Sequence, residues 1–495
     1  MDHPVIPDQG LDHQVVLERL EALQANDTDY KRGRTWSLVY YAGEAHTELL
    51  SKAHTLFLSS NGLNPTAFGS LKRLEAEVVR MTATMLNGPD EACGTMTSGG
   101  TESILMAVKT YRARARAKKP WIRRPEMVLP RTIHSAFDKA AHYFGIRVRY
   151  AEVGPDKRAD VRAIKRLINR NTILIAASAP QYPHGVVDPI EAIGALAAAR
   201  KIPFHVDACF GGFILPWIEA AGYPVPTWDF RVPGVTSISA DIHKYGYAAK
   251  GASTILYRNM SYLRHQFFIS TDWPGGIYAS PSMAGTRPGG PIAAAWAALM
   301  AVGKDGYISR AREAMQTAKT LREGIEAIPE LSIVALADAP IVTYQSADPA
   351  IDIFVIADHL QQAGWEVSRQ QHPNCIHCSV TANHRTVVPD YLAAVQTAVD
   401  HARAHPEAKS EGDAALYGMM AKVPVRALVK SSVRKVMEAM YAPGVYGMPD
   451  LGNLGQGDDD GLVLQLVARY GDQAIGLLDR AEHLRKRLRT LNPRR

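Results

Sequence analysis

The chain is poor in cysteine, with four in 495 residues. That excludes a disulfide-stapled scaffold and points to a reducing, cytoplasmic setting. It has no run of about 18 apolar residues, and so no candidate spanning helix. The N-terminus, MDHPVIPDQGLDHQ, lacks the basic stretch and apolar core of a secretory signal. A broad excess of charge is missing too. The formal charge is +7, but the last stretch, RAEHLRKRLRTLNPRR, alone holds seven Arg/Lys against one Glu. The remainder is near neutral, which argues against a nucleic-acid groove.

Core-building material is ample. Hydrophobic residues at 46% and charged ones at 21% fit a globular protein, and the length exceeds the roughly 250–300 residues that one core serves. The expected layout is an N-terminal segment over 1–69, a large domain over 70–315, a smaller α+β domain over 316–450, and a Gly/Asp linker with a basic amphipathic helix over 451–495. LDHQVVLERLEALQA has helical spacing and should pack as an arm. From about residue 70, helical segments alternate with the short apolar runs EMVLP, IRVRYAEV, TILIAAS, IPFHVDA, VTSISA and ASTILY. Such alternation predicts an α/β fold with a mainly parallel sheet. LSIVAL and IHCSVTA mark strands of the smaller domain.

Ligands of such sheets collect at the carboxyl ends of the strands. TSGGTES, Thr97 to Ser103, precedes a helical run. Its glycines and the helix N-terminus suit either a phosphate or a capping turn. FHVDACFGG sets Asp207 at the end of an apolar strand, where a desolvated carboxylate needs a cation or a donor unless it merely caps a turn; His205 in the same strand reads as a core histidine. In HKYGYAAKG, Lys244 beside His243 is either surface decoration or a buried amine of depressed pKa that attacks carbonyls. A phosphate cradle, a buried carboxylate and a reactive amine together are what pyridoxal 5′-phosphate requires. Cys375 and Cys378 in CIHC read as buried thiols, because a zinc site wants four ligands and Cys93 and Cys209 belong to the other domain. GDDDG reads as a solvated linker without the ligands of a calcium loop.

The stretches RLEAEVV, TSGGTESILMA, PQYPHGVVDPI, IPFHVDACFGGF, GVTSISADIHKYGYAAKGASTILY, TDWPGGIYASPSMAGTRPGG and ALYGM resemble the group II, fold-type I pyridoxal-phosphate-dependent enzymes, and among them the sphingosine-1-phosphate lyases most closely. The resemblance spans about residues 33 to 420. It implies that Lys244 bonds to the cofactor, Asp207 pairs with the pyridine nitrogen and His134, in PRTIHSAF, stacks on the ring. Gly99, Gly100, Thr101 and Ser239 would hold the cofactor phosphate, with His243 beside it. It also implies a homodimer with a shared active site, in which the GTRPGG loop around Thr286 and Arg287 reaches the neighbouring subunit. Tyr182 matches a position near the reacting centre. Tyr40, Asn61 and Lys250 match positions that grip the phosphate of a lipid substrate, and Asn64 stands where the family has histidine.

The activity implied is retro-aldol cleavage of a long-chain base phosphate, with Lys244 giving up its proton and Lys250 keeping its own. Candidates for the base at the substrate hydroxyl are Tyr182, the cofactor phosphate and Lys244. An amino-acid decarboxylase on the same scaffold and a non-catalytic scaffold acting through its basic tail are the competing readings. Eukaryotic relatives carry a membrane anchor ahead of this domain. Its absence implies a soluble enzyme that meets its substrate in solution or by transient contact with a membrane surface. The basic C-terminal helix reads as an oligomer contact, a surface helix or a membrane-surface anchor.

Overall fold

Alternation along single strands decides which side of the main sheet each residue serves. In the computed structural model, which describes residues 4–25, 27–405 and 426–446, seven strands form this sheet. They are β1 (Cys93–Thr97), β2 (Glu126–Pro130), β3 (Arg147–Ala151), β4 (Thr172–Ser178), β5 (Phe204–Asp207), β6 (Val235–Ala240) and β7 (Ser253–Tyr257), in the order β1-β7-β6-β5-β4-β2-β3. Met127 and Leu129 of β2, with Leu174 and Ala176 of β4, enter one apolar core. Val128, Ile175 and Ala177, one position along, enter the core on the opposite face. Helices cover both faces, so β2, β4, β6 and β7 are buried along their whole length, as strands covered on both faces must be.

The five strands from β6 to β3 run parallel, while β7 lies antiparallel to both β6 and β1. The carboxyl ends of β1, β4, β5 and β6 therefore share one edge with the start of β7. Ser178, Asp207 and Ser239 are aligned across that edge. β1 carries no apolar run and escaped the strand pattern. It runs through Gly94 because a Cβ there would come 2.2 Å from the Ile255 carbonyl oxygen of β7. Beyond the sheet lies a short exposed hairpin, β8 (Phe268–Ser270) with β9 (Tyr278–Ser280).

The helix Gly289–Glu326 follows and bends at Gly303, whose φ of 61° breaks what the sequence reads as one continuous helix. A second sheet then forms from β10 (Leu331–Ile333), β11 (Ile341–Ser346), β12 (Ser368–Gln370) and β13 (Cys375–Ser379), in the order β10-β11-β13-β12 and antiparallel throughout. Its core takes in Trp36 from the N-terminal segment. The indole stacks 4.4 Å from the His384 ring, and Ser379 donates its backbone N–H to the Trp36 carbonyl. The stretch around Trp36 is thus part of the small domain's core. By contrast, the helix His13–Gln24, expected to pack as an arm, buries none of its residues within this chain.

A helix spans Arg426–Met440. The stretch ALYGM, the Gly/Asp linker and the basic C-terminal helix lie outside the described residues.

Candidate active site

The edge where β1, β4, β5 and β6 end gathers most of the residues picked from the sequence. Asp207, at the end of β5, is 6% exposed. It accepts from the Cys209 backbone N–H at 3.1 Å and from the Ser239 hydroxyl at 3.3 Å. Ser239 is therefore occupied with Asp207 and also contacts His205. Its hydroxyl serves the carboxylate. His205 lies between Ser237 and Ser239, where burial pushes it down to about 4, a neutral core histidine.

The helix Gly100–Lys118 starts directly after β1, and no side chain caps its N-terminus. Its first backbone N–H groups are left for an anion. A Cβ on Gly100 would come within 2.8 Å of both the Asp241 carboxylate and the Cys209 sulfur, and one on Gly99 within 3.4 Å of His243. The glycines thus bring the helix terminus against the loop that carries Lys244; Thr101 stands exposed beside them. Glu102 fastens this turn to the loop before Thr286. It accepts from the Ser98 N–H at 2.7 Å and from the Met283 N–H at 3.1 Å.

Lys244 overturns one expectation. Its Nζ lies 2.9 Å from Oδ2 of Asp241, a carboxylate that is only 2% exposed and also 3.6 Å from His243 Nε2. Burial alone would lower the Lys244 pKa, but the Asp241 charge outweighs it and holds the amine above its ordinary value. His243 goes the other way, lowered by burial with Asp241 partly opposing. The second Asp241 oxygen, Oδ1, is buried with no hydrogen-bond partner among the described residues. Asp241 was missed, although it carries the signal that found Asp207, a carboxylate ending an apolar strand.

Lys250, expected to guard its charge, has no carboxylate partner in hydrogen-bond range among the described residues. Its ammonium donates to the Leu38 carbonyl at 2.6 Å and stands 5.4 Å over the Tyr40 ring. Burial first, then the nearby Lys244 charge, lower its pKa. It lines a cavity of about 440 Å³ with Tyr40, His46, His54, His243 and Tyr247.

Asn61 and Asn64 do not join that cavity within one chain. Asn61 donates to Thr286 at 3.3 Å and accepts from the Arg287 N–H. Asn64 accepts from Thr66 and Ala67, closing a turn ahead of the helix Gly69–Met85. Arg287, expected to reach a neighbouring subunit, is buried in a bidentate pair with Glu75 at 3.0 and 2.6 Å. It ties the GTRPGG loop to the end of β1.

Tyr182, on the loop after β4, lies 4.5 Å from the ring of His377. Burial raises its phenol pKa, with Ser368 and Lys244 opposing. His377 is the centre of CIHC, whose two cysteines are buried free thiols. In the sequence the two thiols form the visible pattern, and the histidine between them carries no signal of its own. His134 is exposed just before the helix Ala136–Phe144, and its Nδ1 accepts from the Ala136 N–H.

These residues fit pyridoxal phosphate. A buried carboxylate with neutral donors, an amine beside a buried carboxylate oxygen without a partner, and an uncapped helix terminus cleared by glycine converge at one edge. Residues 33–346 match the pyridoxal-dependent decarboxylase conserved domain. The sphingosine-1-phosphate lyase of Arabidopsis thaliana is 45% identical over 445 residues, covering 88% of this chain and 81% of that protein. The solved sphingosine-1-phosphate lyase of Burkholderia pseudomallei shares 37% identity at a TM-score of 0.80, covering 89% of this chain and 97% of that one. This chain belongs to the sphingosine-1-phosphate lyase family. The glutamate decarboxylase of Lactobacillus brevis, at 19% identity and a TM-score of 0.72 over 83% of this chain and 96% of that one, shares the fold. The expected fold-type I architecture and the cofactor both follow from these matches.

Proposed function

We propose that this chain cleaves the C2–C3 bond of sphingosine 1-phosphate and related long-chain base phosphates, with Lys244 as the lysine that bonds the cofactor. The observation that carries this reading is the convergence of Lys244, Asp207 and the Gly99–Gly100 turn at one sheet edge, in a member of that family. When bound, pyridoxal phosphate supplies the electron sink for the charge left on C2 as the bond breaks. Gly99, Gly100 and Thr101 hold its phosphate, Asp207 pairs with its ring nitrogen, and His134 covers one face of the ring.

Lys250 grips the substrate phosphate, with the Tyr40 ring beneath its ammonium. Fixing that end of the substrate would orient the C2–C3 bond and so select the bond that breaks. Tyr182, kept protonated by burial, orients the C3 hydroxyl by a hydrogen bond and does not act as its base. The C3 hydroxyl proton passes to the Lys244 amine in its neutral form, C3 departs as a long-chain aldehyde, and the Lys244 ammonium returns the proton to C2 to give phosphoethanolamine.

The reading includes a homodimer. Ile269, Trp273 and Ile277 on the β8–β9 hairpin are 63%, 56% and 79% exposed, an apolar patch of the kind that subunit contacts cover. Among the described residues no helix is long and apolar enough to cross a membrane, and the free thiols suit a reducing, cytoplasmic compartment.

The test is incubation of the purified holoenzyme with sphingosine 1-phosphate. Equal amounts of long-chain aldehyde and phosphoethanolamine are expected. No aldehyde from cofactor-loaded protein, or carbon dioxide from an amino acid in its place, would overturn the assignment.

A further inference from the structure

Two buried carboxylates stand at the same sheet edge, and their partners differ. Asp207 is held by a backbone N–H and a hydroxyl. Asp241 faces an ammonium at 2.9 Å through one oxygen and keeps the other buried and unpartnered. The proposed function gives Asp207 a role and leaves Asp241 without one. Lys244 also has Cys209 and Tyr40 among its charge partners, and it acts in turn on Tyr182, His243 and Lys250. Burial keeps Tyr40, Tyr182 and Cys209 protonated and His243 neutral. Among the described residues Asp241 is the proton acceptor in hydrogen-bond contact with the Lys244 amine.

An ammonium has no lone pair and cannot attack an aldehyde. We propose that Asp241 relays the proton that allows Lys244 to bond to its cofactor. Oδ2 takes a proton from Lys244 Nζ, and the freed amine adds to the aldehyde carbon. The acquired proton passes to the carbonyl oxygen. A second N–H proton follows the same path, and the oxygen leaves as water. The carboxylate is regenerated beside the cationic nitrogen, so atoms and charge balance without a further reactant. The unpartnered Oδ1 gives the proton a second exit next to the cradle at Gly100, which lies within 3 Å of a Cβ placed there.

This inference rests on Lys244 being the cofactor lysine, and its test separates the two. Cofactor-free full-length protein is mixed with pyridoxal phosphate and the rise in visible absorbance followed by stopped flow. Borohydride reduction and peptide mass spectrometry then identify the modified lysine. Asp241→Asn should slow attachment about 100-fold or more, the lower end of general acid–base contributions, and added formate should restore part of the rate. Its Lys244 should also react with acetic anhydride at lower pH than in the wild type, because burial then acts alone on the amine. Attachment within about threefold of the wild-type rate, or slow attachment with formate inert and the Lys244 profile unmoved, would overturn the relay. Should Asp241→Asn fail to fold, the wild type decides. A Lys244 acylation profile lying at or below that of surface lysines would overturn the proposal. Cofactor found on a lysine other than Lys244 would overturn the site assignment itself.

Discussion

Lys244 and Lys250 share one loop, yet the fold handles their charges in opposite ways. Lys244 has a dedicated carboxylate at 2.9 Å, which raises its pKa against the pull of burial. Lys250 has a backbone carbonyl and the face of a tyrosine, which stabilise an ammonium without neutralising it, and its pKa falls. The lesson is that a lysine's charge state follows from its nearest partner, not from the spacing of basic residues along the chain. A paired cation suits chemistry that must give up a proton under local control. An unpaired one is free to meet an anionic substrate.

The most severe way to break the contrast is to delete the paired lysine. Lys244→Ala is expected to reduce aldehyde formation by at least about 10³-fold and to abolish covalent capture of the cofactor, with the circular dichroism spectrum unchanged. Retained activity would dissolve the distinction between the two lysines. A second paired cation supplies a purely structural control. Arg287 and Glu75 are 9% exposed each, and breaking a buried pair by removing one partner leaves an uncompensated charge. Glu75→Gln should lower stability by about 3 kcal/mol, read as a drop in thermal midpoint.

The same pair fixes a sign for acid sensitivity. Burial alone would raise the Glu75 pKa, but Arg287 draws it below the usual 4.5. Its stabilisation is present above pH 4.5 and disappears as the pH falls through the lowered value. Glu75→Gln should therefore flatten the acid limb of the stability profile.

Most of the large domain was legible because most of its strands are continuous apolar runs, and the Asp207 carboxylate and Lys244 each follow one. β1 was not, since Cys93–Thr97 is small and polar and forms a strand only because β7 has room for Gly94. Asp241 was readable in principle, but one carboxylate had already been assigned the cation that the site requires. The contacts of Arg287 and Ser239 could not be read locally, because Glu75 and Asp207 are distant in sequence and only the fold brings them together. Trp36 joined the small domain for the same reason.

Lys250 allows a finer test. Lys250→Ala should raise KM for sphingosine 1-phosphate by about 10- to 100-fold, the loss of a hydrogen bond to a charged group worth about 1.5–3 kcal/mol, while cofactor attachment proceeds as in the wild type. Because its pKa lies below the ordinary 10.5, phosphate binding should be full near neutrality and weaken as the pH climbs, before 10.5 is reached. Lys250→Arg keeps its charge over that range, so its KM should stay flat where the wild type rises. Parallel curves for the two proteins would remove Lys250 from the substrate phosphate.

The smallest effect is expected at Asn64. Its carboxamide oxygen accepts from the Thr66 N–H, the Thr66 hydroxyl and the Ala67 N–H, so within this chain the side chain closes a turn. A histidine in its place could not offer an acceptor in the same position to all three donors. Asn64→His should therefore cost about 1 kcal/mol of stability, in the range of lost caps, without changing the Lys250-dependent rise of KM with pH. A tighter KM for the lipid phosphate in that variant would mean that the position faces substrate in the assembled enzyme. The phosphate would then be held by a second group beside Lys250, while Lys244 stays committed to Asp241.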